Sequence, residues 1–385
     1  MKKLAIVTSH PVQYNAPLFR LLSQRKKVAV KVFYTWGQTE QGIVYDPDFK
    51  KEIKWDIPLL DGYEKEFVKN TASKPNAGSF TGINNKDLIE RIDRYNPDAL
   101  LLFGWSFKSH LQVLRYYKDK KKILFRGDSN LLDEPVGFSV KKMFRRIFLT
   151  WVYKHINTAL YTGIANKKYY LAHGLQGKQL VYAPHAVENN RFNDIDGSYI
   201  QRAMQWRKEL GIGDEEIVFL FAGKLEFKKD PLLLINAFKE LRQKEIRLLV
   251  VGNGALETEL KEAAKSDHRI LFLDFQNQQM MPVVYRLANV FVLPSKGPGE
   301  TWGLSVNEAM ACSLPVLVSN KCGCAKDVVS GNGLIFEAGN KNGLVTALQF
   351  FITGKAKLAA MGTVSLTTIQ SFSLNQIATA VEEVL

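Results

Sequence analysis

Short apolar runs, each closed by a turn and followed by a stretch of helical periodicity, recur in two series along this chain of 385 residues. This alternation restricts the fold more than any other feature. The first series lies at 4–8, 28–35, 99–105, 122–126, 158–162 and 179–184, and the second at 217–225, 247–252, 269–275, 289–294, 315–319 and 333–336. Strands apolar throughout, joined by connections long enough for a helix, belong in parallel sheets covered by helices. Two series in a chain of this length fill two domains with separate cores. The expected fold class is therefore α/β with two Rossmann-like domains, at 1–190 and 191–370, the polar run 183–192 linking them. A last helix at 371–385 is expected to cross back to the first domain.

Charge divides the halves differently. Residues 1–190 carry 31 Lys and Arg against 17 Asp and Glu, whereas the remainder has 21 of each, so the first half holds the whole net charge of +14. A basic half calls for an anionic partner: a membrane surface, a diphosphate-linked molecule or nucleic acid. Nucleic acid is not expected, because no recognised binding motif accompanies the charge. A hydrophobic content of 46% and an aromatic content of 11% are those of a folded globular chain. No apolar run has the length of a membrane span. The opening MKKLAIV imitates a signal peptide but breaks at Ser9-His10-Pro11 without a small-residue cleavage site. The cysteines, Cys312, Cys322 and Cys324, are too few and too clustered for a disulfide framework. A cytoplasmic protein is expected, peripheral on the inner face of the membrane, with no metal site.

In α/β sheets ligands sit beyond the strand carboxyl ends, which directs attention to the loops. In the first half these are 9–15, 104–108, 127–130 and 163–166, presenting His10, Gln13, Trp105 and the cluster Arg126, Asp128 and Asn130. The segment 36–82 has no clear period and is rich in aromatic residues. Within it Asp46-Pro47-Asp48 imitates an Asp-x-Asp metal motif but follows no apolar strand. The stretch 138–153, FSVKKMFRRIFLTWVY, predicts a helix with Lys141, Lys142, Arg145 and Arg146 on one side and apolar residues on the other. Such a helix either lies on an anionic membrane surface or packs its apolar face on the sheet.

The second half carries the densest motif, 294–320. An apolar strand ends at Pro294, a glycine-rich loop follows, and a helix starts near Gly303. Its first N–H groups and positive dipole end form an anion site. Glu300 precedes the helix and Glu308 lies about two turns inside it, too far apart to share a proton. At 222–231, AGKLEFKKDP, a strand ends at Gly223 and Lys224 and Lys229 follow, point charges suited to a diphosphate. Gly252 and Asn253 follow the next strand, and Phe275 ends the one after.

Taken together, Gly303-Leu304, Glu308-Ala309-Met310-Ala311 and Leu314-Pro315-Val316 resemble the donor site of retaining glycosyltransferases of family 4. The resemblance implies the GT-B arrangement, two Rossmann-like domains facing each other across a cleft. It implies sugar transfer from a nucleotide sugar, a UDP- or GDP-sugar, to a glycan or lipid-diphosphate-linked acceptor of cell-surface polysaccharide synthesis, without a metal or other cofactor. Donor contacts are implied at Gly223, Lys224, Lys229, Gly252, Asn253, Phe275, Glu300, Thr301, Trp302, Gly303, Leu304 and Glu308. Catalytic roles fall to Glu300, Lys229, Lys224, Asp128 and His10, and the acceptor side to His10, Gln13, Trp105, Arg126, Asp128 and Asn130. Two departures stand out: Lys224 occupies a position where the family has arginine, and SHPVQYN replaces the usual glycine pair of the first loop. A GT-B epimerase or phosphorylase, or a non-catalytic sugar-nucleotide binder, shares these features.

Overall fold

The computed structural model describes residues 1–36, 43–46, 51–135, 137, 139–352 and 354–385. They fall into two compact units. The first gathers Met1–Val44, Ile57–Pro184 and Leu374–Leu385, and the second Tyr45–Asp56 and His185–Ser373. In chain order the first strands are β1 (Lys2–Thr8), β2 (Val28–Tyr34), β3 (Ile43–Asp46), β4 (Lys51–Lys54), β5 (Glu64–Phe67), β6 (Ala99–Phe103), β7 (Lys122–Arg126), β8 (Thr158–Tyr161) and β9 (Leu180–Tyr182). Then come β10 (Ile217–Ala222), β11 (Ile246–Val251), β12 (Ile270–Leu273), β13 (Val290–Leu293), β14 (Val316–Ser319) and β15 (Gly333–Phe336).

Each unit is built on one sheet. The first runs β5-β2-β1-β6-β7-β8-β9 and the second β12-β11-β10-β13-β14-β15, with a two-stranded ribbon of β3 and β4 apart from both. Neighbouring strands within both large sheets are parallel. Leu4 to Val7 and Val218 to Phe221 are wholly buried, because helices cover both faces and leave no solvated side to favour alternation. The strand order reverses between β1 and β6 in one sheet and between β10 and β13 in the other. Ligand sites of α/β sheets open at the carboxyl ends beside such a reversal.

Two features of the first unit lie outside its sheet. Behind the ends of β2 and β6, His110 Nε2 lies 3.0 Å from Thr35 Oγ1, and Asn85 donates to the carbonyls of Thr35 and Val68 at 3.0 and 2.9 Å. Ser109 Oγ donates to Asn85 Oδ1 at 2.8 Å. These buried polar groups tie loop to sheet without an unpaired donor at those atoms. Separately, the helix Leu374–Glu383 packs Ile377, Ala378, Ala380 and Val381 into this unit. Arg25 and Lys27 hold Glu382 there at 3.0 and 3.3 Å.

The segment 36–82 is only partly described. Asp46 ends β3, while Pro47 and Asp48 lie outside the described residues. The ribbon's end belongs to the second unit: Trp55 meets Phe275 edge-on, with ring centroids 6.4 Å apart, and Asn277 Nδ2 donates to the Lys54 carbonyl at 2.7 Å. Among the described residues no single helix is long and apolar enough to cross a membrane.

Candidate functional site

The carboxyl ends of β10, β11, β12 and β13 bring the second unit's candidates together. After β10 the chain passes Gly223, makes a short turn through Phe227–Lys229 and enters the helix Pro231–Phe238. Pro231 suits that helix start because its missing N–H would have no partner there. Gly252, at the end of β11, runs so close to this loop that a Cβ would stand 2.1 Å from the Gly223 carbonyl oxygen. Glycine is therefore required for the two loops to touch. Asn253 is buried and ties the next loop down: it donates to Glu257 and Asp274, each at 2.9 Å, and accepts from the Phe275 N–H at 2.9 Å.

The loop after β13 meets the loop after β10. The Lys228 carbonyl accepts the N–H groups of Lys296 and Gly297, at 2.8 and 3.2 Å. Lys296 Nζ pairs with Asp230 at 3.0 Å. At the centre, Lys229 Nζ donates to Glu300 Oε2 at 2.7 Å, and Ser295 Oγ donates to the same oxygen at 2.9 Å. Both charged side chains are largely shielded, with 15% and 9% exposure, so their attraction is screened less than that of a surface pair. The cation and carboxylate, both among the implied donor contacts, thus touch each other.

Gly303, at φ 99°, turns the chain into the helix Leu304–Ala311, a backbone angle that favours glycine. A Cβ there would also strike Leu293 at 2.9 Å. Glu308 is buried and accepts a 2.7 Å hydrogen bond from the Tyr285 hydroxyl. Thr301 and Leu304 are half-buried beside the turn. Trp302 is buried, and its indole N–H donates to Asn307 Oδ1 at 2.8 Å while Asn307 Nδ2 donates to the His185 carbonyl at 3.0 Å. The indole thereby pins the loop from beneath. Cys312, Cys322 and Cys324 are buried free thiols, and burial pushes Cys312 and Cys322 up to about 12. Among the described residues no group of three or more His, Cys, Asp or Glu side chains is arranged to hold a metal.

In the first unit the candidates occupy separate strand ends. His10 and Gln13 follow β1, and both are half-buried. Ser9 Oγ lies 2.9 Å from His10 Nδ1, and burial lowers the imidazole's proton affinity. Trp105 follows β6. Arg126 is buried at the end of β7 and donates to the carbonyls of Ala183 and Pro184 at 2.7 and 2.9 Å, so its guanidinium secures the chain's exit from this unit. Burial lowers it to about 10. Asp128 and Asn130 stand in a loop that the Tyr170 hydroxyl and Asn166 Nδ2 hold by the carbonyls of Gly127 and Ser129, at 2.9 and 2.7 Å. Asn130 Oδ1 accepts from the Leu132 N–H at 2.9 Å, closing the turn.

Sequence reasoning missed Ser295, Tyr285 and the Trp55 contact. Ser295 and Tyr285 are polar residues next to apolar strand or helix positions. Trp55 lies more than two hundred positions from its partner, so no local pattern announces the contact.

Comparison with known proteins places these loops in context. The family model of glycosyl transferases group 1 matches residues 203–364, wholly within the second unit. Relatives include a D-inositol 3-phosphate glycosyltransferase of Rhodococcus opacus, 32% identical over 180 residues, 43% of this chain and 40% of that protein. Another is a GDP-mannose-dependent alpha-(1-6)-phosphatidylinositol monomannoside mannosyltransferase of Mycolicibacterium smegmatis, 29% identical over 196 residues, 48% of this chain and 50% of that protein. The chain thus spans half or less of the length of these curated relatives. Among solved structures, Anabaena HepE in complex with UDP and glucose superposes with a TM-score of 0.72 at 15% identity, covering 100% of this chain and 99% of that one. Sucrose-phosphate synthase of Thermosynechococcus elongatus gives 0.73 at 17% identity, with 100% and 98% covered. The fold class is accordingly GT-B, two parallel-sheet α/β domains in one chain.

Proposed function

We propose that this protein is a retaining glycosyltransferase of the family 4 type. It takes a sugar from a nucleotide-sugar donor held by the second unit and passes it to a glycan acceptor, free or carried on a lipid diphosphate, in cell-surface polysaccharide synthesis on the cytoplasmic side of the membrane. The observation that carries this reading is the Lys229–Glu300 contact, 2.7 Å long, at the carboxyl end of the second sheet beside its strand-order reversal. The family match over the same unit supports it. So do a relative named for GDP-mannose and a structural neighbour solved with UDP.

In the reaction the bond from the anomeric carbon to the β-phosphate oxygen breaks, and its electron pair stays with the diphosphate. A new bond forms from the acceptor hydroxyl oxygen to that carbon on the same face, and the hydroxyl proton passes to the departing diphosphate. The charge that develops on the diphosphate is assigned to Lys229, Lys224 and the N–H groups at the start of helix Leu304–Ala311, which make a metal unnecessary for this step. Glu300 already holds Lys229 at one oxygen, so it positions the cation while its carboxylate takes the donor-sugar hydroxyls. Glu308, fixed by Tyr285, is assigned to the ribose hydroxyls. His10 and Asp128 are assigned to the acceptor.

The test is a panel of UDP-, GDP-, ADP- and CMP-sugars, scored by thermal shift and then by nucleotide release without acceptor, a diphosphate from the first three and CMP from the last. One nucleotide is expected to stabilise the protein. On that donor, Lys229→Ala should lower turnover by about a hundredfold, the scale of losing one preorganised oxyanion donor. Glu308→Ala should chiefly weaken donor binding. Wild-type kinetics in both variants would remove the assignment; release that depends on inorganic phosphate, or sugar interconversion without acceptor, would replace it with a phosphorylase or an epimerase.

A further inference from the structure

The helix Val140–Tyr153 is apolar on two opposite sides. Leu149, Val152 and Tyr153 are buried against the first unit's core. Val140, Met143, Phe144, Ile147, Phe148 and Trp151 are 40% to 63% exposed. At about 100° per residue the two sets point in opposite directions. The four cations form two rows, Lys141 with Arg145 and Lys142 with Arg146, on the side of the buried set, with Lys141 and Arg146 bordering the outer stripe. The apolar side predicted by sequence faces outward, and the helix reaches the core instead through Leu149, Val152 and Tyr153 on the side of the cations.

Packing within the unit does not explain the outer stripe. Six large apolar side chains facing water in one row are a costly surface for a protein to keep. Their cationic borders specify what covers them. An anionic bilayer takes apolar side chains into its acyl boundary and meets the flanking cations with phosphates, whereas a neutral apolar partner would leave those cations without counter-ions. Arg115 extends the border, its guanidinium 5.8 Å from the Trp151 ring.

We propose that this outer stripe inserts into an anionic lipid surface. One row is prepared for the exchange: Glu134 holds Lys142 at 3.0 Å and Arg146 at 3.4 Å, an internal carboxylate standing where a lipid phosphate would go. The stripe is also continuous with a candidate acceptor loop, since Phe148 packs edge-on against Trp105 with centroids 5.4 Å apart. A lipid-borne acceptor would therefore be met beside the surface that carries it. That last step rests on the function proposed above; the membrane contact itself does not.

Cosedimentation of the full chain with phosphatidylcholine vesicles, with and without phosphatidylglycerol, tests it. The wild type should bind the anionic vesicles and release in high salt. Phe144→Ser with Ile147→Ser should abolish binding while keeping the wild-type melting temperature and acceptor-free diphosphate release. Lys141→Ser with Arg145→Ser should weaken anionic binding at least tenfold, from about fivefold per cation. Glu134→Gln, by freeing two cations, should strengthen it. Equal binding to both vesicle types, or binding that survives loss of Phe144 and Ile147, would overturn the proposal. So would self-association that the same double variant abolishes in a protein that ignores vesicles. Failure here with normal donor hydrolysis would leave the donor assignments standing.

Discussion

His110 shows what one buried residue asks of its surroundings. Its ring sits between Thr35 and the Gly104 carbonyl, and burial lowers it to about 4 from the ordinary 6.5. Below 6.5 the unfolded chain takes up a proton that the folded ring refuses until about 4. The unfolded state then binds more protons, so stability falls as pH drops across that window and is flat above it. His10 and His173 are lowered in the same direction, also chiefly by burial. His110 alone should account for about 3 kcal/mol of the loss, at about 1.4 kcal/mol per pH unit. Urea melts at neutral pH and near pH 4 should show a shallower pH dependence in His110→Gln than in the wild type. An unchanged slope would mean that the buried ring takes up its proton as readily as it does in the unfolded chain. At Lys229 and Glu300 the sequence supplied the residue types, but not that they would contact each other, because nothing in the intervening seventy positions encodes a 2.7 Å approach.

Among the elements, the loops after β10 and β11 form one platform, and Gly252 is what lets them close. In Gly252→Ala the new methyl would have to move the Gly223 carbonyl, 2.1 Å away, at a φ of 136° that other residues rarely adopt. Overpacking of this kind costs about 1–3 kcal/mol, and the displaced backbone is the one that carries Lys224. We expect a lower melting temperature and a donor KM raised more than kcat falls. A loss in kcat alone would place the platform away from the donor. The alternation of apolar runs made these elements readable in advance, since strands buried on both faces leave a continuous hydrophobic signature. The ribbon of β3 and β4 left no such signature: its strands have four residues each, and its end is held by partners, Phe275 on Trp55 and Asn277 on Lys54, that are remote in sequence.

At the scale of the molecule, the C-terminal helix belongs to the unit that begins the chain. Its apolar face lies on the helix Ala16–Arg25, and Arg25 Nη2 donates to Thr379 Oγ1 at 3.1 Å. A chain ending at Ser373 should expose that face and lose several kcal/mol from the first unit, at roughly 25 cal/mol per Å² of apolar surface. Calorimetry should show the first unit's transition shifting down while a nucleotide still shifts the second. A truncated chain that melts like the full one would show the helix to be dispensable. The strand-and-helix content and the two parallel sheets were written into the sequence, because buried strands and amphipathic helices impose local periodicities that need no knowledge of their neighbours. So were the glycines and charges at the strand ends. Tertiary structure alone decided that Arg126 grips the chain's exit, that Trp302 and Asn253 serve as ties, and that Glu308 is held by Tyr285. It also decided that one face of the basic helix points away from the core. Those outcomes depend on which distant groups meet in space, and burial and pairing are set there rather than along the chain.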